Sequence, residues 1–100
     1  MSKEREVRER LYRHYLNSGE RPRGPDDLAP RAATLRHLVA RHFPTDRRAP
    51  ILDLGCGHGA LIHFAREAGY TAISGVDVSP VQVATAHTLG IEGVEQGPRN

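Results

Sequence analysis

The sequence predicts an α/β fold, namely part of a doubly wound parallel sheet in the order β-α-β-α-β, preceded by two helices. Short apolar runs at residues 51–54, 71–76 and 94–96 alternate with two segments of helical periodicity, at 59–68 and 80–89. Turn residues separate the runs from the helical segments. At the start of the second helical segment, Ser79 is predicted as the N-cap, and Gln82 completes a Ser-x-x-Gln capping box. Strands that alternate with helices of this length are typical of β-α-β units. The pattern contains three strands, which is about half of such a sheet.

Two helices precede the first strand, at residues 3–16 and 31–42. Their apolar stripes consist of Val7, Leu11 and Tyr15 in the first helix and of Leu35, Leu38 and Val39 in the second. Between them, residues 20–30 contain three prolines and a glycine, which predicts an irregular linker. We therefore divide the chain into residues 1–30, a helix with its linker, and residues 31–100, the α/β domain.

The stretch from Ile51 to Ala60 gives the strongest functional signal. It reads ILDLGCGHGA, so that Gly55, Gly57 and Gly59 stand at alternate positions between a strand and a helix. Glycine adopts positive φ values without steric cost, and a ligand can lie directly against its backbone. The free N–H groups of the first helical turn also point towards this position. The stretch therefore predicts a loop that binds a small molecule.

The second apolar run ends in an acid, Asp77, eighteen residues after Gly59. Neighbouring strands of a β-α-β unit end at the same edge of the sheet, so Asp77 is expected beside the glycine loop. A carboxylate at that position can accept hydrogen bonds from both hydroxyls of a ribose. The glycine loop and the acid together predict a ligand that contains a nucleoside.

These residues resemble the class I, Rossmann-like S-adenosylmethionine-dependent methyltransferases. The first motif of that family is acid-x-Gly-x-Gly-x-Gly, and the second is an acid that ends the next strand. The matching residues are Asp53, Gly55, Gly57 and Gly59 for the first motif and Asp77, within Gly75-Val76-Asp77-Val78-Ser79, for the second. The resemblance covers about residues 28–97 and implies S-adenosylmethionine as the cofactor.

The resemblance also implies what individual residues do. Asp53 would help to hold the methionine amino group, Asp77 would bind the ribose, and Val78 would flank the adenine ring. The loop against the cofactor would consist of Gly55, Cys56, Gly57 and Gly59. No catalytic residue is assigned, and the methyl acceptor is not identified by the sequence.

Other side chains near the predicted site are open to two interpretations. His58 either contacts the carboxylate of the ligand or is an exposed loop histidine. Tyr12 or Tyr15 either closes the pocket, as an N-terminal helix often does in the family, or packs its helix against the sheet. Cys56 is interpreted as a small residue in a tight turn, because a nucleophile would need a base and none is identifiable. The remaining histidines show no metal-like pairing, so no metal is predicted.

Two further functions stay open as alternatives. Gly55, Gly57 and Ala60 also fit Gly-x-Gly-x-x-Ala, which would suit a fragment of an NAD(P)-dependent oxidoreductase. Asp53 inside the first strand and the alternating glycines favour the methyltransferase. The other alternative is a non-catalytic remnant or scaffold that binds the cofactor weakly or not at all. This alternative arises for two reasons. In the family, the residues on the acceptor side of the site normally come from strands after the third. In addition, Pro98 stands where the family often has an acid that contacts the adenine amino group.

We therefore expect a truncated chain, the N-terminal half of a methyltransferase cofactor-binding domain, without a complete acceptor site. In the family the first strand is central, whereas here residues 51–54 would form an edge of the sheet. An edge strand offers its N–H and C=O groups to other chains. The isolated chain is accordingly expected to self-associate through this strand or to be loosely folded.

The composition and charge of the chain indicate in which cellular compartment it works and which partners it can bind. No apolar run approaches ~18 residues, and no apolar stretch follows the charged N terminus, so neither a membrane span nor a signal peptide is predicted. The single cysteine fits a reducing cytoplasm. Residues 1–50 hold twelve Lys and Arg against seven Asp and Glu, and residues 51–100 hold two against five. A nucleic-acid partner is compatible with this asymmetry, but a solvated, arginine-rich helix surface explains it as well.

Overall fold

The computed structural model describes residues 23–97, in which helices pack on one face of a three-stranded parallel sheet. The elements are a 3₁₀ helix (Pro25–Arg31), α1 (Ala32–His42), β1 (Ile51–Leu54), α2 (Ala60–Glu67), β2 (Ile73–Asp77), α3 (Pro80–Thr88) and β3 (Val94–Gln96). The predicted α/β class, the order β-α-β-α-β and the helix directly before it are confirmed. β1 and β3 have the predicted bounds, and the other predicted strand and helices of this part differ by one or two residues at an end.

The predicted helix over residues 3–16, with Tyr12 and Tyr15, lies outside the described residues. The prediction of an irregular linker over residues 20–30 is wrong for its second half, because Pro25–Arg31 form a 3₁₀ helix. Pro25 stands at the start of this helix, where its fixed φ favours a helical turn. Leu28 is 1% exposed and packs into the same hydrophobic core as the sheet, and this tertiary contact stabilises the 3₁₀ helix. The division of the chain at residue 30 stays a prediction.

The sheet has the order β1-β2-β3, and both strand pairs are parallel. Asp53 is paired in register with Gly75, and Gly75 with Val94, so the two sequence motifs lie on adjacent strands. Each crossover between neighbouring strands contains one helix, as expected for β-α-β units. The carboxyl ends of β1 and β2 therefore meet at one edge of the sheet, where the loop 55–59 begins.

One face of the sheet carries the hydrophobic core. The buried apolar residues are Leu28, Leu35, Val39, Ala60, Ile62, Phe64, Ala65, Tyr70, Ile73, Ala86, Leu89, Ile91 and Val94. Side chains alternate between the faces of a strand, and on the opposite face Leu52 and Leu54 are 56% and 63% exposed. Within the described part of the chain, no helix has the length and apolar character needed to cross a membrane.

Candidate functional site

The loop between β1 and α2 has the backbone conformation that its glycines predicted. Gly55, Gly57 and Gly59 have φ values of 70°, 60° and 89°, a region that residues with a Cβ rarely adopt. The N–H groups of Gly55 and Cys56 donate to the carbonyl of Val76 at 2.8 and 3.0 Å. The loop thus turns across the end of the neighbouring strand and leads directly into α2, whose N-cap is Gly59.

Gly59 also lies close to β3, the strand furthest from β1, and to the segment that leads into it. A Cβ at this position would lie 2.9 Å from Cγ2 of Ile91 and 3.2 Å from Cγ2 of Val94. The third glycine of the motif is therefore required both by its positive φ and by the packing of the segment that leads into β3.

Asp77 is the last residue of β2, and the structure brings it against the glycine loop, as its position in the sequence predicted. Its Oδ2 accepts a hydrogen bond from the N–H of Gly57 at 2.8 Å, and its Oδ1 accepts one from the N–H of Ser79 at 2.9 Å. The residue is 7% exposed. Each carboxylate oxygen has two lone pairs, so both retain the capacity to accept another hydrogen bond from a ligand.

The first turn of α3 begins beside this carboxylate. Ser79 is the N-cap, and its hydroxyl accepts a hydrogen bond from the N–H of Gln82 at 3.3 Å, as predicted. The sequence Ser-x-x-Gln also predicted that the side chain of Gln82 would bind the N–H of Ser79 in a capping box. That half of the prediction is wrong, because the N–H of Ser79 donates to Asp77 and the Gln82 side chain contacts His58.

His58 is buried in the loop, with 5% of its surface exposed, so the interpretation as an exposed loop histidine is wrong. Its Nδ1 lies 3.2 Å from Oε1 of Gln82. Burial lowers the pKa of His58; the hydrogen bond to Gln82 acts in the opposite direction, and the positive charge of Arg31 lowers the pKa further. The net effect favours the neutral form of the imidazole. Contact of His58 with a ligand carboxylate stays a prediction.

Cys56 is half-buried against the second motif. A Cβ on Gly75 would lie 2.6 Å from Sγ of Cys56 and 2.7 Å from Cδ1 of Ile62. The glycine two residues before Asp77 thus makes room for the loop, a role that is not evident from the sequence. The contact also supports the interpretation of Cys56 as a small residue in a tight turn, because a larger side chain would meet the backbone of Gly75.

The other predicted site residues lie on both sides of the loop. Asp53 is buried in β1, two residues before the first glycine. Val78 follows Asp77 and is 52% exposed, and Val81 in the first turn of α3 is also an exposed apolar residue. Within residues 23–97, no three His, Cys, Asp or Glu side chains are grouped so as to hold a metal ion.

Comparison with known proteins bears on the function of this arrangement. Residues 28–98 match the family model of a methyltransferase domain. The chain is 40% identical over 57 residues to ribosomal RNA large subunit methyltransferase E of Caulobacter vibrioides, covering 56% of this chain and 25% of that protein. It is 47% identical over 45 residues to the protein of the same name from Caulobacter sp. strain K31, covering 44% of this chain and 20% of that protein.

A solved structure is similar as well. It is a SAM-dependent methyltransferase from Bacteroides fragilis in complex with S-adenosyl-L-homocysteine, with 27% sequence identity and a TM-score of 0.50. The match covers 62% of this chain and 24% of that one, so the chain spans about a quarter of the length of these relatives. The parallel sheet and the glycine loop against an acid form an α/β domain of the class that commonly binds nucleoside-containing ligands. The family model is more specific, and the chain belongs to the methyltransferase-domain family.

Proposed function

We propose that the chain is the cofactor-binding portion of an S-adenosylmethionine-dependent methyltransferase, which transfers a methyl group to an acceptor. The observation that carries this proposal is the hydrogen bond from Gly57 N to the buried carboxylate of Asp77. This hydrogen bond holds Asp77, which would accept hydrogen bonds from ribose hydroxyls, against a loop whose backbone a ligand can approach closely. The likeness to a structure in complex with S-adenosyl-L-homocysteine supports the same cofactor.

The residues of the site fit this cofactor. Asp77 would accept hydrogen bonds from the ribose, and the exposed Val78 would lie along the adenine ring. The loop with Gly55, Cys56, Gly57 and Gly59 would line the amino-acid part, and Asp53 would help to hold its amino group. When bound, S-adenosylmethionine supplies a methyl group activated by a positively charged sulfur.

The contribution of this chain would be to bind and orient the cofactor. Enzymes gain much of their rate by holding reactants in a reactive geometry. A general base is required only where the acceptor must lose a proton as it reacts. We assign no residue among 23–97 to that role.

RNA is the acceptor class that we propose to test first. The two Caulobacter relatives named above are ribosomal RNA methyltransferases. Residues 1–50 have a net charge of +5, and Arg41 and Arg48 are exposed in the described part of that half. Phosphate contacts by such residues make RNA binding weaken as salt rises. A cytoplasmic location fits this acceptor and stays a prediction.

The RNA proposal can be measured by binding of the chain to a labelled ribosomal RNA fragment at several salt concentrations. We expect affinity to fall with salt and the slope to decrease when Arg41→Gln and Arg48→Gln are combined. Transfer of labelled methyl from S-adenosylmethionine to the same RNA tests the reaction itself. RNA binding that responds neither to salt nor to the two substitutions would contradict RNA as a partner of this surface.

The cofactor proposal can be tested by amide hydrogen exchange with and without S-adenosylhomocysteine. We expect slower exchange in the loop 55–59 and at Ser79 when the ligand is present, and no change along α1. The Gly57→Val variant is the control, because it should lose the protection. Absence of any protection in the parent chain would support the non-catalytic remnant, and protection confined to other elements would contradict the assigned site.

A further inference from the structure

We propose that His58 and Gln82 form a positioning pair that holds the glycine loop against the first turn of α3 and thereby sets the affinity for the cofactor. This inference rests on the function proposed above. It concerns a side-chain contact that neither the two sequence motifs nor the family likeness assigns.

The pair closes a ring of hydrogen bonds around the end of β2. Gly57 N donates to Oδ2 of Asp77 at 2.8 Å, and Oδ1 of Asp77 accepts from Ser79 N at 2.9 Å. The hydroxyl of Ser79 accepts from Gln82 N at 3.3 Å. Oε1 of Gln82 then lies 3.2 Å from Nδ1 of His58, the residue that follows Gly57 in the chain. The glycine loop is thus held by two separate contacts, one from Gly57 to Asp77 and one from His58 to Gln82 on α3.

Both members of the pair are buried. His58 is 5% exposed and Gln82 is 4% exposed. Polar groups in the interior are almost always hydrogen-bonded, and removal of one partner leaves the other with an unfavourable, desolvated polar atom. The contact therefore contributes to the conformation of the loop in a way that a surface contact would not.

The position of His58 explains why the loop needs such a contact. It stands between Gly57 and Gly59, both at positive φ, and glycine has the largest backbone freedom to lose on ordering. His58 carries the one side chain between these two glycines. On the other side of Gly57, Cys56 is fixed by its packing against Gly75. With both contacts in place, the N–H of Gly57 is directed at Asp77 before any ligand arrives.

The chemistry of the contact fixes the form of the histidine. With Oε1 of Gln82 as the acceptor, Nδ1 of His58 carries the proton and the imidazole is a donor. Asparagine at position 58 would retain a donor of similar reach, because its amide nitrogen, like Nδ1 of histidine, is bonded to Cγ, whereas alanine would remove it. The chain therefore offers a conservative variant that restores the contact and a truncating variant that abolishes it.

The test is a double-mutant cycle with His58→Ala, Gln82→Ala and the combined variant, measured by calorimetric titration with S-adenosylhomocysteine. We expect each single variant to bind about tenfold more weakly, and the combined variant to bind no more weakly than either, because the two residues act through one contact. His58→Asn should recover most of the affinity. Thr88→Ala is the matched control, since it removes a hydrogen bond of α3 that does not reach the loop.

A second measurement makes the inference independent of the proposed function. In the ligand-free chain, amide exchange at Gly57 should be at least several-fold faster in His58→Ala than in the parent. It should be close to the parent rate in His58→Asn, with α1 unchanged. If the parent does not bind S-adenosylhomocysteine, the proposed function fails while this exchange result still supports the pair. Unchanged exchange at Gly57 in His58→Ala, or independent and additive losses of affinity in the cycle, would overturn the inference.

Discussion

Replacement of Asp77 by asparagine tests the two roles of this side chain, one in the stability of the chain and one in ligand binding. The carboxylate accepts hydrogen bonds from Gly57 N and Ser79 N, so it also contributes to the stability of the chain. Asparagine has nearly the same shape but offers one oxygen in place of two and carries no charge. One of the two N–H groups therefore loses its acceptor, and the ribose loses a charged partner.

The magnitude follows from the number of hydrogen bonds lost. A hydrogen bond to a charged group contributes about 1.5–3 kcal/mol, so Asp77→Ala would remove roughly 3–6 kcal/mol. Small domains have a total free energy of unfolding of about 5–15 kcal/mol, and alanine would thus endanger the fold itself. Asp77→Asn is expected to lose about half as much stability. Loss of one charge-assisted bond to a ribose hydroxyl corresponds to a decrease in affinity of roughly tenfold to a hundredfold.

The assay is calorimetric titration with S-adenosylhomocysteine below the unfolding temperature of the variant, which is determined beforehand by circular dichroism. Glu95→Gln is the matched control, because it neutralises an exposed carboxylate on β3 by the same chemical change. We expect the control to bind like the parent. A folded Asp77→Asn variant whose affinity lies within twofold of the parent value would refute the assignment of Asp77 to the ribose.

Three further predictions concern the loop and the sheet. Gly57→Val should abolish cofactor binding, because Gly57 has a φ of 60°, whereas Cys56→Ser should bind nearly as well as the parent; the reverse result would contradict this interpretation of the loop. Gly75→Ala places a Cβ 2.6 Å from Sγ of Cys56 and should lower the free energy of unfolding by about 1–3 kcal/mol. An unchanged midpoint of urea unfolding would argue against close packing at Gly75. Finally, β1 lies at one end of the described sheet, so sedimentation should show self-association or a loosely folded chain; a compact monomer with strong amide protection along residues 51–54 would contradict this.

Most of the sheet could be predicted because its signals are local. The apolar run of residues 51–54, the glycines after it and Asp77 at the end of the next strand each reflect a short-range rule of periodicity or backbone conformation. A β-α-β connection then constrains where adjacent strands end, so the proximity of Asp77 to the glycine loop followed from topology.

The features that the sequence did not predict depend on contacts between distant residues. Ser79 and Gln82 satisfy the capping-box pattern, but Asp77 takes the N–H of Ser79 and leaves the Gln82 side chain to His58. No local pattern links position 58 to position 82. The 3₁₀ helix over residues 25–31 was likewise missed, because its prolines suggest a loop and burial of Leu28 becomes evident only in the folded chain.

The central claim is that the glycine loop and Asp77 form a site for S-adenosylmethionine. The most direct measurement is a pair of calorimetric titrations of the chain, one with S-adenosylhomocysteine and one with NAD. An NAD site would use the same loop for a pyrophosphate and the same acid for a ribose. We predict saturable binding of S-adenosylhomocysteine that is clearly tighter than binding of NAD, and tighter binding of NAD would contradict the account.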